Sequence, residues 1–208
     1  MDLYSADEPI KYVCFLESGV GSIIGPIKGR EAENGLFGRE GFAPVAAVLT
    51  AKAPGFSAVM QMPGFGYRIP AAPFLSDLSK NEAARSVLLR YVQAHLVQIA
   101  QTALSNAVHV IEERLARWIL MIHDRIDDDE FAITHDFLSL MLAVRRPSVT
   151  TALHALEGEM LIRAERGCII VRDRRGLEER AGDAYGYPEA EYEELLAPSQ
   201  DRFLNWSY

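Results

Sequence analysis

The sequence predicts an α+β protein in three parts: a small β-barrel, a long dimerisation helix and a C-terminal winged helix-turn-helix. Three observations carry this. Glycine and proline recur at close spacing through the first 75 residues, between short apolar runs. From Glu82 to about Asn106 both residue types are missing and a heptad pattern takes their place. Between Ile133 and Asp173, two short amphipathic segments precede a pair of strand-like runs. The boundaries that follow are 1–79 for the β domain, 80–107 for the helix, 108–176 for the winged helix-turn-helix and 177–208 for an acidic C-terminal tail.

In the β domain the apolar runs are Tyr12–Leu16, Val20–Ile24, Pro44–Leu49 and Ala58–Met62. Frequent turns between short strands predict a small barrel or sandwich. Asp77 or Ser79 then stands where a helix cap is needed, with Glu82 early enough to favour the helix dipole. Leu89, Val92, Leu96, Ile99 and Ala103 recur at alternating three- and four-residue steps, and Asn106 and Val110 continue the seam. Leu88, Tyr91 and His95 form a neighbouring stripe. Two adjacent stripes serve two clients, the helix's own domain and a twin helix; the alternative is one core helix inside one domain. The length of the helix favours dimerisation. A further stripe runs through Leu104, Val108, Ile111, Leu115, Trp118 or Ile119, and Ile122. It ends at Asp127-Asp128-Asp129-Glu130, read as a solvated turn because calcium loops need alternating ligands and a glycine.

Thr134 is a good N-cap for a helix burying Phe137, Leu138, Met141 and Leu142. Ala143-Val144-Arg145 breaks that pattern, and Pro147 fits the first turn of a second helix. This one buries Val149, Ala152, Leu153 and Leu156 and ends at Gly158. Two short helices with a tight turn make a helix-turn-helix. Leu161-Ile162-Arg163 and Cys168–Val171 then read as a hairpin, or wing, around Arg166-Gly167. The first turn of the second helix offers Arg145, Arg146, Ser148 and Thr151 on the side away from its apolar face. Arginine binds guanine O6 and N7 with two hydrogen bonds, and hydroxyls serve phosphates or base edges. These four residues, with Thr134 and the wing's Arg166, are the predicted DNA contacts. The bland alternative is a helix pair with surface arginines.

The net charge of −8 at first argues against a nucleic-acid partner. Its distribution reverses that reading. Residues 141–176 carry seven arginines against four acids, whereas residues 177–208 hold eight acids and two arginines. DNA responds to the field within a Debye length of about 10 Å, not to the chain total. No apolar run is long enough to cross a bilayer, and the acidic N-terminus is not a signal peptide. Cys14 and Cys168 are too few for a disulfide framework or a metal cluster, so the expectation is a cytoplasmic protein without membrane contact. Catalytic motifs are lacking. There is no P-loop, His-Glu-x-x-His or Gly-x-Ser-x-Gly, and Gly19–Gly25 is one residue too long for a dinucleotide fingerprint. Neither an enzyme, a cofactor nor a metal is expected. Cys14 reads as a buried apolar residue before a redox sensor.

The run Ile133-Thr134-His135-Asp136-Phe137-Leu138, followed by Val144-Arg145-Arg146-Pro147-Ser148-Val149-Thr150, Ala155-Leu156-Glu157 and Leu161-Ile162, resembles the C-terminal domain of the Crp/Fnr superfamily of bacterial transcription regulators. Glu113–Leu120 resembles the family's helix entering that domain. Tyr12–Phe15, Gly38–Gly41 and the long helix fall in the order the family uses for a jelly-roll, cupin-like barrel sensor and its dimer helix. The resemblance implies a homodimer on double-stranded DNA, with RNA polymerase as a further partner. It also shows departures. Cyclic-nucleotide members hold the phosphate with a glutamate after a glycine and an Arg-Ser pair; those positions are Arg39, with Glu40 one residue on, and Phe56 and Ser57. Phenylalanine cannot replace a guanidinium on a buried phosphate. The pocket is degenerate, cyclic AMP is not the expected signal, and the effector is left unnamed. Four cluster-ligating cysteines are lacking, and His95 reads as a packing residue before a haem ligand. Only eleven residues precede Tyr12, which implies a trimmed barrel or a misassigned start.

Overall fold

A computed structural model describes residues 1–27 and 30–197; residues 198–208, the end of the acidic tail, lie outside it. The glycine-punctuated N-terminal segment forms seven strands: β1 (Asp2–Tyr4), β2 (Tyr12–Leu16), β3 (Val20–Ile27), β4 (Arg30–Phe37), β5 (Phe42–Ala43), β6 (Ser57–Met62) and β7 (Gly66–Pro70). They make two antiparallel sheets, one in the order β1-β6-β3-β4 and one in the order β5-β2-β7. Leu16 and Ala43 of the second meet Ile23, Phe37 and Ala58 of the first in one buried cluster. The arrangement is an open roll of two sheets, not a closed barrel. Four strands, β1, β4, β5 and β7, exceed the sequence reading. β7 pairs with the whole of β2, and β4 with β3. The run Pro44–Leu49 is not a strand. Proline has no N–H for a ladder, and a 3-10 turn over Val45–Ala47 forms instead, with Ala47 N donating to Pro44 O at 3.1 Å.

A short helix α1 (Ala71–Leu78) precedes the long helix α2 (Glu82–Val108). Asp77 and Ser79 therefore close α1. The cap of α2 is Asn81, whose Oδ1 accepts from Ala84 N at 3.0 Å. At 27 residues, α2 is about 40 Å long. It ends before His109-Val110, and α3 (Ile111–His123) starts afresh with Glu113 accepting from Val110 N at 3.1 Å. The predicted stripe from Leu104 to Ile122 is thus split between two helices. Leu104 and Val108 are exposed, whereas Leu115, Ile119 and Ile122 are fully buried.

After α3 come β8 (Glu130–Ala132), α4 (His135–Met141), α5 (Arg146–Gly158), β9 (Ile162–Glu165) and β10 (Cys168–Val171). β8 pairs with β10, so the acidic run at 127–130 ends inside a third wing strand and is not wholly a turn. α6 (Arg174–Ala181) and α7 (Tyr187–Leu196) complete the described chain; position 177 falls within α6. The C-terminal segment lies along α2, with Arg90 Nη1 donating to Leu195 O of α7 at 3.2 Å and Gln101 Nε2 to Asp183 O, in the turn before α7, at 2.8 Å. One apolar core joins the roll to the helix-turn-helix half, while α2 packs on the roll in a separate cluster around Val13, Phe42 and Tyr91. Val20, Leu36 and Met62 of the roll join α3, α4, α5 and the wing around Trp118, Ile119 and Leu138. Among the described residues no helix is long and apolar enough to cross a membrane.

Candidate nucleic-acid interface

The site is built on the α4–α5 pair. Thr134 caps α4, its Oγ1 accepting from Phe137 N at 3.2 Å; the hydroxyl hydrogen remains available for an outside acceptor. α4 buries Leu138, Met141 and Leu142, and Phe137 packs at the margin of the core. Ala143 takes a left-handed conformation, φ 52°, and turns the chain sharply. α5 starts at Arg146 with Pro147 in its first turn. Val149, Ala152, Leu153 and Leu156 are buried as the pattern predicted. Gly158 is the last helical residue, but the left-handed position that follows is Met160, φ 61°.

The opposite face of α5 is open. Arg145, Arg146 and Thr151 are exposed and Ser148 is half-buried. The side chains of Arg145 and Ser148 have no hydrogen bond or ion pair among the described residues, whereas Thr151 Oγ1 donates to Pro147 O at 3.1 Å. Arg146 is not free: its Nε lies 3.3 Å from Asp136 Oδ1 on α4. Both partners are largely exposed, so the pair is weak, but it sets where the guanidinium rests. Beside it, His135 Nδ1 meets Thr150 Oγ1 at 3.1 Å and ties the start of α4 to the second turn of α5. Asp136 and Thr150 were not among the predicted contacts. The clue was the closeness of the two helix starts, which linear spacing does not display. The wing is pinned to α5 by Ala164 N donating to Glu157 Oε1 at 3.0 Å. Its tip carries exposed Arg166 and Gly167, φ 76°, a backbone setting that favours glycine. Arg163 is held by Glu165 at 2.8 Å, while Arg174 and Arg175 are engaged by Glu178 and Glu179.

The five seam residues divide. Leu96 and Ala103 are exposed, and Leu89 and Ile99 are half-buried. Val92 is 5% exposed, packed with Val13, Phe42 and Tyr91 in its own chain; it is therefore not available to a partner helix. One heptad position (Leu89, Leu96, Ala103) turns outward and the other (Val92, Ile99) toward the roll.

The four residues at the effector positions do not converge. Arg39 Nη1 reaches Asp127 Oδ1 at 2.7 Å, and Glu40 Oε1 accepts from Arg125 Nε at 2.8 Å. Phe56, half-exposed, lies over Gly25, and Ser57 Oγ accepts from Ala6 N at 3.0 Å. Cys14 is buried, which pushes its thiol up. Among the described residues no group of three His, Cys, Asp or Glu side chains is placed to hold a metal ion.

Residues 113–180, from α3 to the last turn of α6, match the family described as the Crp-like helix-turn-helix domain. The chain carries a Crp-like helix-turn-helix domain. No curated protein sequence matches the chain. Solved structures match it in fold, including FixK2 from Bradyrhizobium japonicum, at 16% identity over 88% of this chain and 93% of that one, TM-score 0.72. A transcriptional regulator of the CRP family from Thermus thermophilus is 17% identical over 87% and 93%, TM-score 0.67. The c-di-GMP-responsive global regulator CLP from Xanthomonas campestris is 15% identical over 82% and 89%, TM-score 0.62. The chain has the fold of the Crp/Fnr transcription regulators, with the Crp-like domain seated against the roll through α3.

Proposed function

We propose that the chain is a sequence-specific DNA-binding transcription regulator that acts as a homodimer on a pseudo-palindromic operator, without cyclic AMP. The observation that carries this is α5, whose inner face is sealed in the core while Arg145, Arg146, Ser148 and Thr151 surround its open N-terminal end. The N-terminal end of a recognition helix enters the major groove, and its dipole favours phosphate. Arg145 and Arg146 read base edges; Thr134 and the wing's Arg166 contact phosphates. The dimer seam runs along α2 through Leu89, Leu96 and Ala103, with Gln93, Ala100 and Ala107 on the same outward strip. Pairing there as a C2 dimer sets two α5 helices about one DNA turn apart, roughly 34 Å. The divisions 1–79, 80–107, 108–176 and 177–208 serve as roll, dimer helix, reader and C-terminal segment. RNA polymerase is the further partner and the cytoplasm the setting.

Cyclic AMP independence rests on Phe56, which offers a phosphate no charge, and on Arg39 and Glu40, whose ion pairs point them at Asp127 and Arg125. The test is a salt titration of duplex binding, using sequences selected from a random pool with no nucleotide added. Neutralising Z phosphates gives a slope of about −0.9Z in log K against log salt. A steep slope and a selected palindrome are expected. Absence of duplex affinity at low salt for every sequence in the pool refutes the reading and leaves the helix-turn-helix to protein contacts.

A further inference from the structure

Beside α7 lies a cavity of about 370 Å³ bordered by Arg39 and Glu40, two of the effector positions. A second cavity, of about 240 Å³, opens between the two sheets of the roll. Leu3 and Tyr4 reach it from β1 of one sheet, and Tyr12 and Arg68 from β2 and β7 of the other. None of Arg39, Glu40, Phe56 and Ser57 lines it, so it lies apart from the positions at which the family resemblance would hold a cyclic phosphate. Residues 5–11, which cross from β1 to β2, are pinned in place. Ala6 N donates to Ser57 Oγ at 3.0 Å, Gly55 N to Ala6 O at 3.2 Å and Ile10 N to Lys52 O at 3.1 Å.

The charge here is local and positive. Lys11 and Glu8 cancel each other at 3.1 Å. That leaves Arg68, which is exposed and stands 4.0 Å above the centre of the Tyr12 ring. No acid lies within ion-pair reach of it among the described residues. A chain of net charge −8 thus keeps one uncompensated guanidinium at this opening. The Tyr4 hydroxyl also has no hydrogen bond among the described residues, and it is not one of the atoms shut off from solvent. Burial pushes its phenol up, so the hydroxyl keeps its hydrogen at neutral pH and can donate.

This donor set selects the guest. A guanidinium offers two parallel N–H groups, which match the two oxygens of a carboxylate. A phosphate has more oxygens to satisfy, and the wall is poor in further donors. Pro9, Pro44 and Pro54 have no N–H, and Lys11 is committed to Glu8. The remaining wall is apolar, made by those proline rings with Leu3, Ile10 and the ring of Tyr12. An apolar cavity of about 150 Å³ takes a benzene ring, so about 240 Å³ has room for a ring with one carboxylate.

We propose that this cavity binds a small aromatic carboxylate, with Arg68 and the Tyr4 hydroxyl as donors and the proline rings and Tyr12 around its apolar body. The guest would tie β1 of one sheet to β7 of the other, two strands that share no ladder.

The full chain labelled with 15N-arginine tests this. Benzoate is the probe, benzamide the uncharged control of the same shape and inorganic phosphate the anion without a ring. The signal is the Arg68 Nε–H, assigned by its loss in Arg68→Gln. A saturable shift with benzoate is expected, with benzamide and phosphate leaving it unmoved. Arg68 is exposed, so Arg68→Gln should keep its thermal midpoint, while calorimetry shows benzoate affinity falling by about tenfold or more. Tyr4→Phe, which loses one donor, should weaken benzoate by about threefold or more. No saturable shift with benzoate up to about 10 mM overturns the proposal. An equal response to benzamide or phosphate overturns it too, as does unchanged affinity in either variant. DNA is absent from this assay, so its outcome is separate from that of the DNA-binding reading.

Discussion

Replacing Glu33 by Gln should flatten the dependence of stability on pH. Glu33 lies on β4, 9% exposed, between Ser22 of β3 and Trp118 of α3. Its Oε2 meets Ser22 Oγ at 2.6 Å and its Oε1 accepts from Trp118 Nε1 at 3.1 Å. Burial pushes its carboxyl up to about 7, against the pull of those two bonds and of the Arg117 and Arg125 charges. A folded value raised above the unfolded one gives stability that is complete below about pH 4.5 and lost as pH rises through about 7. The gap between 4.5 and about 7 corresponds to about 3 kcal/mol at roughly 1.4 kcal/mol per unit. Glutamine keeps an acceptor and does not titrate. Relative to the natural chain, Glu33→Gln should therefore gain up to about 3 kcal/mol between pH 4.5 and 8. Urea midpoints across that range, at one fixed protein concentration, measure the difference. His95, held neutral by burial, lowers stability below about pH 6.5 in both chains and cancels. Parallel profiles for the two chains would refute the reasoning, whatever their absolute offset.

Three further outcomes are expected. Arg146→Ala should cost about 1–3 kcal/mol in DNA affinity and relax base choice at one position per half-site, read by selection from a random pool; a uniform loss over all sequences assigns Arg146 to phosphate. Asp136→Asn should tighten binding, because it removes a negative charge from the interface and frees the Arg146 guanidinium now 3.3 Å away; competition binding at two salt concentrations should show the gain shrinking as salt rises. Leu96→Glu should convert a dimer into a monomer in sedimentation while leaving the circular dichroism of the chain intact, since Leu96 is 50% exposed; a dimer that survives places the seam elsewhere.

The winged helix-turn-helix was legible because its signals are local. Thr134 as a cap, Pro147 in a first turn and the spacing of Val149, Ala152, Leu153 and Leu156 each act within a turn or two. The roll was legible only where apolar runs mark it. β4 begins Arg30-Glu31-Ala32-Glu33, and a charged residue that points inward looks, to any pattern, like one that points out. Glu33 is tolerated there because Ser22 and Trp118, 11 positions before and 85 after it, reach its two oxygens. The C-terminal segment looked like a tail for a similar reason. It is rich in acids, and a handful of side chains (Leu177, Ala181, Ala184 and Pro188) buries enough to hold it.

The heptad shows how a correct periodicity can still misplace a surface. A repeat of seven says that Leu89, Leu96 and Ala103 share one azimuth and Val92 and Ile99 another, but not which azimuth meets the partner chain. The fold decides that by what it puts beside the helix. The roll takes Val92, with Val13 and Phe42 waiting for it, and the C-terminal segment takes the side carrying Arg90 and Gln101. The strip through Leu96, Ala100 and Ala103 stays exposed, and it is there that the proposed twin helix would pack. The same crowding ties the helix-turn-helix half to the roll of its own chain. Trp118 meets Glu33, Arg125 meets Glu40, and Arg39 meets Asp127. Two of these three contacts come from the loop where the cyclic-nucleotide members of the resembling family hold a phosphate. In this chain those side chains are spent on the reader instead. Glu40 and Arg125, which join the roll to the helix-turn-helix half, also border the cavity beside α7.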